Sequence, residues 1–337
     1  MTAADSTFRL PPGATGVGSW PGTDPREAAA VMLGELSLPH VVELPARGVG
    51  ADLIGRASAL LVDMDFDTST RGYRLAQRPG AAAKRAVDLL RQDLDALEEA
   101  WELGGYTNRP VKLQAPGPLT LAAEVELRGG HRILTDHGAV RDLSESLAEG
   151  LAVHAGEVSR RLGTDVVVQL DEPSLRAVLD GTLRGVSRLD TVRAVPEPDA
   201  VAVLGTVVDA QSAPVVMHCC AGSPPLRMFK STNVAGVGFD LAQLTAADLD
   251  GVGELLDAGK QLVLGVIATT PTRTTWREAA ETGTRLVDRL GFPRATLSNV
   301  LVSPACGLAG APLAWARQAL KLASEVAQAY GEEPESL

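Results

Sequence analysis

Soft-ligand chemistry is confined to two places in this chain. One is His218-Cys219-Cys220, which closes the apolar run Pro214-Val215-Val216-Met217, and the other is Cys306, in Val302-Ser303-Pro304-Ala305-Cys306-Gly307. No other cysteine occurs in the 337 residues. His218 and Cys220 are two apart, so at a strand end both side chains point the same way, while Cys219 points away and packs, a swapped ligand role being its alternative. A third ligand from another strand end completes a Cys2His set, the donor combination that favours zinc. Zinc held so, with one position left open, suits holding and ionising a thiol, whose ordinary pKa of about 8.5 leaves it mostly protonated at neutral pH. The plainer reading makes the three cysteines buried small hydrophobes. Deciding between them requires the elements that position the three residues.

Those elements recur regularly. Short β-rich runs lie at Thr15–Ser19, His40–Leu44, Val111–Gln114, Asp165–Leu170, Pro214–Met217, Val234–Phe239, Gln261–Ile267 and Asn299–Val302. Helical patterns lie at Asp24–Leu36, Ala81–Leu103, Ser144–Leu162, Pro198–Gln211, Ala246–Ala258, Trp276–Leu290 and Pro312–Tyr330. Asp24-Pro25 is a helix start, an N-cap followed by proline at the first helical position. Eight strand–helix units in this length predict an α/β fold, a (β/α)8 TIM barrel, with an open α/β sheet as the alternative. Between the second and third strands, residues 65–79 read as a hairpin excursion turning at Thr70-Arg71-Gly72, and Gly181 to Pro198 reads as a second excursion. The expected organisation is one barrel over residues 13–330, with flexible tails at 1–12 and 331–337.

On that scheme the polar residues fall together. Ser19 follows the first strand, Glu43 lies near the end of the second, and Asp171-Glu172 follows the fourth. His218 and Cys220 end the fifth, Asp240 ends the sixth and Cys306 follows the eighth. All are carboxyl ends of strands, the face on which barrel enzymes build their sites. One histidine, two thiolates and several carboxylates arriving from independent strand ends favour the metal reading.

Composition narrows the partners. The chain is 45% hydrophobic with only 4% aromatic residues, so Ala, Val, Leu and Gly carry the core, as in buried parallel strands. A net charge of −11 and the lack of a basic cluster argue against nucleic acid. The most apolar window, Ala200 to Cys220, is broken by Asp209, Gln211 and Pro214, so no membrane span is expected. Three cysteines, two of them adjacent, do not make a disulfide framework, and Met1-Thr2-Ala3-Ala4-Asp5 lacks the regions of a signal peptide. The expected location is cytoplasmic.

With these residues in place the chain resembles the C-terminal catalytic barrel of cobalamin-independent methionine synthase. The resemblance runs from Gly16-Val17-Gly18-Ser19-Trp20-Pro21 to the final helix. It includes Gly117-Pro118-Leu119-Thr120, Gln169-Leu170-Asp171-Glu172-Pro173-Ser174-Leu175-Arg176, His218-x-Cys220 and Cys306-Gly307-Leu308. It implies a zinc ion (Zn2+) held by His218, Cys220 and Cys306, with Asp240 where the family has glutamate. Asp240 is one methylene shorter and reads either as the fourth ligand or as a helix-capping aspartate. It implies homocysteine as substrate, its ammonium taken by Asp171, its carboxylate by Ser19 and backbone amides near Gly18, and Glu43 as a further ammonium-binding carboxylate. Glu172, and Asp171 with it, could also cap the helix begun by Pro173. The implied activity is homocysteine S-methyltransferase, forming methionine from a methyl donor.

Two departures bear on that donor. The family's full-length enzymes carry a further N-terminal barrel that these residues do not include. The family's Asp-x-His-Ser-Pro segment after strand seven is Ile267-Ala268-Thr269-Thr270-Pro271 here, and Thr269 cannot do acid–base work near neutral pH. A folate nitrogen leaves only when protonated, so the expected donor is a methylcorrinoid, free or on a corrinoid protein partner, rather than methyltetrahydrofolate. The rival readings are a zinc-dependent alkyltransferase acting on another thiol, a zinc hydrolase, and a non-enzymatic zinc-binding protein. A hydrolase should show a general base beside the metal, and none stands out.

Overall fold

The computed structural model describes residues 10–186 and 191–337. Most of the expected N-terminal tail, and residues 187–190 of the Gly181–Pro198 stretch, lie outside the described residues. The strands are β1 (Gly13–Ala14), β2 (Asp65–Ser69), β3 (Gly72–Ala76), β4 (Val111–Pro116), β5 (Val125–Glu126), β6 (Val166–Asp171), β7 (Val215–Cys219), β8 (Gly236–Asp240), β9 (Gln261–Ile267) and β10 (Leu301–Pro304). The α-helices are α1 (Pro25–Glu35), α2 (Leu53–Ala57), α3 (Ala81–Leu103), α4 (Pro118–Glu124), α5 (His137–Leu162), α6 (Leu175–Asp180), α7 (Glu197–Val208), α8 (Leu226–Lys230), α9 (Leu249–Asp257), α10 (Trp276–Leu290) and α11 (Leu313–Glu332).

Seven strands form one parallel sheet in the order β1-β10-β9-β8-β7-β6-β4. Runs such as Val166-Val167-Val168 and Val215-Val216-Met217 are buried throughout, the pattern of strands covered on both faces. The sheet curls. Leu10, Leu38, Val167, Val216, Val263 and Leu301 form one small cluster, and strands as far apart in the order as β6 and β10 can share it only across a concave face. The much larger core lies between the sheet's other face and the helices.

The expected first and second strands are the irregular part. Only Gly13–Ala14 is a regular strand there, and residues 38–43 make isolated parallel bridges, Thr15 to Leu38, Ser19 to Glu43 and His40 to Lys112. From Thr15 to Ser19 the chain advances four residues, while from Leu38 to Glu43 it advances five. That extra residue is a bulge, and it moves every later side chain to the opposite face. Pro39 adds to the irregularity because it has no N–H, although its carbonyl accepts from Lys112 N–H at 2.8 Å.

Between residue 43 and α3, β2 and β3 pair antiparallel, Ser69 opposite Gly72, and β5 joins β3 in parallel to make a three-stranded sheet. Phe66 and Tyr73 anchor it, both buried. Helix boundaries follow local chemistry. Asp24 accepts from the N–H groups of Arg26 and Glu27 at the start of α1, and Thr275 and Glu278 form a reciprocal capping box on α10. Helix α5 begins seven residues before the expected Ser144, at His137, because Asp136 caps it on Ala139 N–H. At the far end α11 runs to Glu332, and Pro334–Ser336 turn back so that Glu335 accepts from Ala295 N–H. Among the described residues no helix is long and apolar enough to cross a membrane.

Candidate metal and substrate site

The carboxyl end of β7 brings His218 inward, and Cys220 follows one residue past the strand. Cys306 arrives from the turn after β10. The ligand atoms of His218, Cys220 and Cys306 all lie within 4.8 Å of one another. Cys220 Sγ and Cys306 Sγ are 3.0 Å apart, and all three cysteines are free. His218 is 4% exposed, and its Nε2 is buried without a hydrogen-bond partner. The Cys220 hydrogen bond, against burial and with help from His218, brings Cys306 down to about 4, while the same contact pushes Cys220 up. Cys219 points into the helix-side core, fully buried, and burial raises it to about 12. It is a packed, inert thiol.

Asp240 is the residue the geometry leaves outside this group. It ends β8 close enough for its charge to be felt by Cys306 and His218, yet its Oδ1 accepts from Ala242 N–H at 2.9 Å and caps the 3-10 turn Leu241–Gln243. The acceptor atom is committed to the backbone.

The carboxylates divide into two kinds. Asp171 is paired in register with His218, 5% exposed, and accepts from Gln169 Nε2 at 2.7 Å. Burial raises it to about 7, against the opposing pull of His218. Glu172, fully buried, faces away from the site and accepts from Leu119 N–H at 2.9 Å, Thr120 N–H at 2.8 Å and Thr120 Oγ1–H at 2.7 Å. It caps, but the helix it caps is α4 rather than the one following Pro173. Gly117 is required there, since a Cβ would lie 2.2 Å from Glu172 Oε1.

Ser19 and Glu43 bridge one another, and both adjoin the cysteine loop through Ser19, whose carbonyl accepts from Leu308 N–H at 2.8 Å. Glu43 is 4% exposed, its Oε1 has no hydrogen-bond partner, and its nearest cation is Arg56 Nε at 4.0 Å. Burial raises its pKa. Arg56 is itself tied to fully buried Asp93 at 2.5 Å, and Arg47 reaches the same carboxylate at 2.8 Å. Removing Asp93 would leave two guanidinium groups uncompensated in the interior, at about 3–5 kcal/mol.

Three buried polar residues of the site had not been singled out from sequence. Lys112, 1% exposed, donates to Val17 carbonyl at 3.0 Å and to Gln169 Oε1 at 2.7 Å. Burial lowers it to about 8. Gln169 donates to both Val17 carbonyl and Asp171, and Gln114 donates to Val41 carbonyl. Their signal was available: Lys and Gln alternate inside Val111-Lys112-Leu113-Gln114-Ala115, a strand otherwise apolar. Polar groups at period two in a fully buried strand must face something polar inside the sheet.

Residues 12–329 match the family model described as the catalytic domain of cobalamin-independent synthase, and the chain belongs to that family. Two solved structures share its fold at low identity. The B12-independent methionine synthase from a Shewanella species, in complex with selenomethionine, is 14% identical with a TM-score of 0.63, over 97% of this chain and 100% of that one. A methyltransferase from Methanosarcina mazei is 15% identical with a TM-score of 0.53, over 97% of this chain and 95% of that one. No match was found among curated proteins.

Proposed function

We propose that this chain is a zinc-dependent methyltransferase that transfers a methyl group to the sulfur of homocysteine, giving methionine. The observation that carries this reading is the convergence of His218, Cys220 and Cys306 around a buried imidazole nitrogen that has no partner. An imidazole nitrogen and two sulfurs, one of them biased to thiolate, are the donors zinc takes, and three protein ligands leave a position for substrate. Asp240 caps Ala242 N–H through Oδ1, so only its second oxygen is free to join them. Bound there, zinc would ionise the substrate thiol at neutral pH.

The rest falls to the chain. Asp171 and Glu43 supply acceptors for the substrate ammonium, and the Ser19 hydroxyl donates to its carboxylate. Their positions follow if residues 38–43 close the curled sheet into an eight-membered barrel over residues 13–330, the arrangement the three isolated bridges support. Three free cysteines suit a reducing, cytoplasmic location.

In the transfer, a sulfur lone pair forms the new S–CH3 bond as the donor's bond to that methyl breaks, and the bonding pair stays on the donor atom. A folate nitrogen needs a proton to leave, whereas a corrinoid cobalt keeps the pair and needs none. A cavity of about 430 Å³ opens beside Asp240 and Ala305 and is lined by Thr269 and Thr270, with Asp240 its one carboxylate and no histidine. That favours a methylcorrinoid, free or on a partner protein, over methyltetrahydrofolate. The family's description points the other way, so this part rests on Thr269 and the cavity.

The test is methyl transfer to homocysteine by zinc-loaded protein with methylcobalamin and methyltetrahydrofolate at matched concentrations. Methionine from neither donor would remove the proposed activity. Turnover with the folate and none with the corrinoid would overturn the donor assignment alone.

A further inference from the structure

Two buried acceptor oxygens near Asp171 have no donor. They are Glu43 Oε1 and Gln114 Oε1, on side chains 4% and 3% exposed. The orientation of the Gln114 amide is settled by chemistry. Its nitrogen donates to Val41 carbonyl at 2.7 Å, a group that can only accept, so the oxygen must face elsewhere. Gly18 packs directly against this amide, and a Cβ there would lie 2.8 Å from Gln114 Cγ and 2.9 Å from Cδ. The amide therefore cannot swing to seek another partner on that side.

Register then places the orphan oxygen. Gln114 on β4 is paired with Gln169 on β6, and Asp171 lies two residues beyond Gln169, on the same face of the sheet. Glu43 reaches that face through the bulge in residues 38–43 and sits beside the Gln114 amide. A buried acceptor without a partner keeps the full penalty of leaving water, so two neighbouring ones are a standing demand for N–H donors. No donor among the described residues lies within hydrogen-bond distance of either oxygen: Arg56 Nε stops 4.0 Å from Glu43 Oε1, and Lys112 gives two of its three N–H groups to Val17 and Gln169. A primary ammonium carries three N–H donors and a positive charge, matching two carboxylates and one neutral acceptor.

We propose that Gln114 is a specificity-determining residue, its side-chain oxygen accepting the third N–H of the substrate's ammonium alongside Asp171 and Glu43. The inference rests on the reading that the substrate is an amino acid, and it adds the residue that separates amino-acid thiols from thiols without an amino group. A thiol lacking the ammonium would leave all three acceptors unpaired in the interior.

Calorimetric binding of methionine and of its deamino analogue, methylthiobutyrate, tests this. Both ligands carry the same thioether and no free thiol, so metal content affects them alike and the comparison needs no turnover. Wild-type protein should prefer methionine, and Gln114→Met should shrink that preference about tenfold or more without changing affinity for the analogue. An unchanged preference in Gln114→Met would assign the oxygen to ordered water and overturn the proposal. Equal loss for both ligands would make Gln114 a structural support and also overturn it. Should Gln114→Met not fold, Gln114→Glu keeps the volume and an acceptor. A preserved or larger preference there supports the assignment, and a collapsed one defeats it. No preference in the wild-type protein would instead bring down the amino-acid reading beneath it.

Discussion

Gly307 passes so close to Ser19 that a Cβ on it would lie 2.1 Å from Ser19 Oγ and 3.3 Å from Ser19 Cβ. The loop that delivers Cys306 is thereby laid on the end of the first strand segment, and Leu308 N–H fixes it there on Ser19 carbonyl. The loop that carries Cys306 and the proposed carboxylate donor are one packed unit.

The first prediction follows from which atom must move. In Gly307→Ala the Ser19 hydroxyl must rotate away and its Cβ give by a few tenths of an ångström, so the protein should fold with little loss of thermal stability. Methionine affinity should fall about as far as in Ser19→Ala, by roughly threefold to tenfold. The double variant should be no worse than either single one, because both remove the same hydrogen bond. Calorimetric binding on the three variants decides it, and additive losses would separate the two residues.

The second concerns the metal. Cys220→Ala and Cys306→Ala should each lose most bound zinc, because each removes one of three ligands. Asp240→Ala should retain most of it, since Asp240 lies outside the converging group of three and one of its oxygens already caps Ala242 N–H. Metal analysis of the purified variants is sufficient. Full zinc in both cysteine variants would dismiss the site, and loss in Asp240→Ala equal to theirs would make Asp240 a direct ligand.

The third concerns stability. Glu172 satisfies three donors at the buried start of α4. Glu172→Ala should destabilise the fold by roughly 3 kcal/mol or more, by leaving those donors unpaired. Urea unfolding measures this. A change under about 1 kcal/mol would mean the α4 N-terminus finds other acceptors.

The sequence made the fold's regular part readable because its strands are long apolar runs with period-3.6 helices between them. Six of the eight expected strands lie in the parallel sheet within a few residues of their expected bounds. The first two were readable only as positions, since a bulge and Pro39 leave isolated bridges where a regular strand was expected. His-x-Cys and Cys306 were legible as a group because cysteine is scarce and strand ends converge in this kind of sheet. The role of Glu172 was not legible. Its partners, Leu119 and Thr120, are some fifty residues earlier, and no local pattern announces a cap supplied across neighbouring strands. Asp240 fits both the ligand and the cap pattern in sequence, and the Ala242 contact shows the cap, made through one of its two oxygens.

The last prediction is a pH dependence set by His154. This residue lies on the buried face of α5, 7% exposed, and burial, aided by the nearby charge of Arg56, lowers it from 6.5 to about 3. Between those values the unfolded chain binds a proton that the folded chain refuses. Stability tied to His154 is therefore complete above pH 6.5 and is lost as pH falls from 6.5 towards 3. The loss is about 1.4 kcal/mol per pH unit. Asp171 and Glu172, both raised to about 7 by burial, act with the opposite sign over part of this range, holding protons in the fold that the unfolded chain would release. The wild-type curve alone is thus flattened, and the comparison must be with His154→Gln, in which the carboxylate contributions are unchanged. Whatever its stability at pH 7.5, the variant should gain on the wild type by about 2 kcal/mol by pH 5, measured as urea unfolding free energy at both values. Parallel curves for the two proteins across that interval would mean that His154 is protonated inside the fold, with an acceptor that its surroundings do not show.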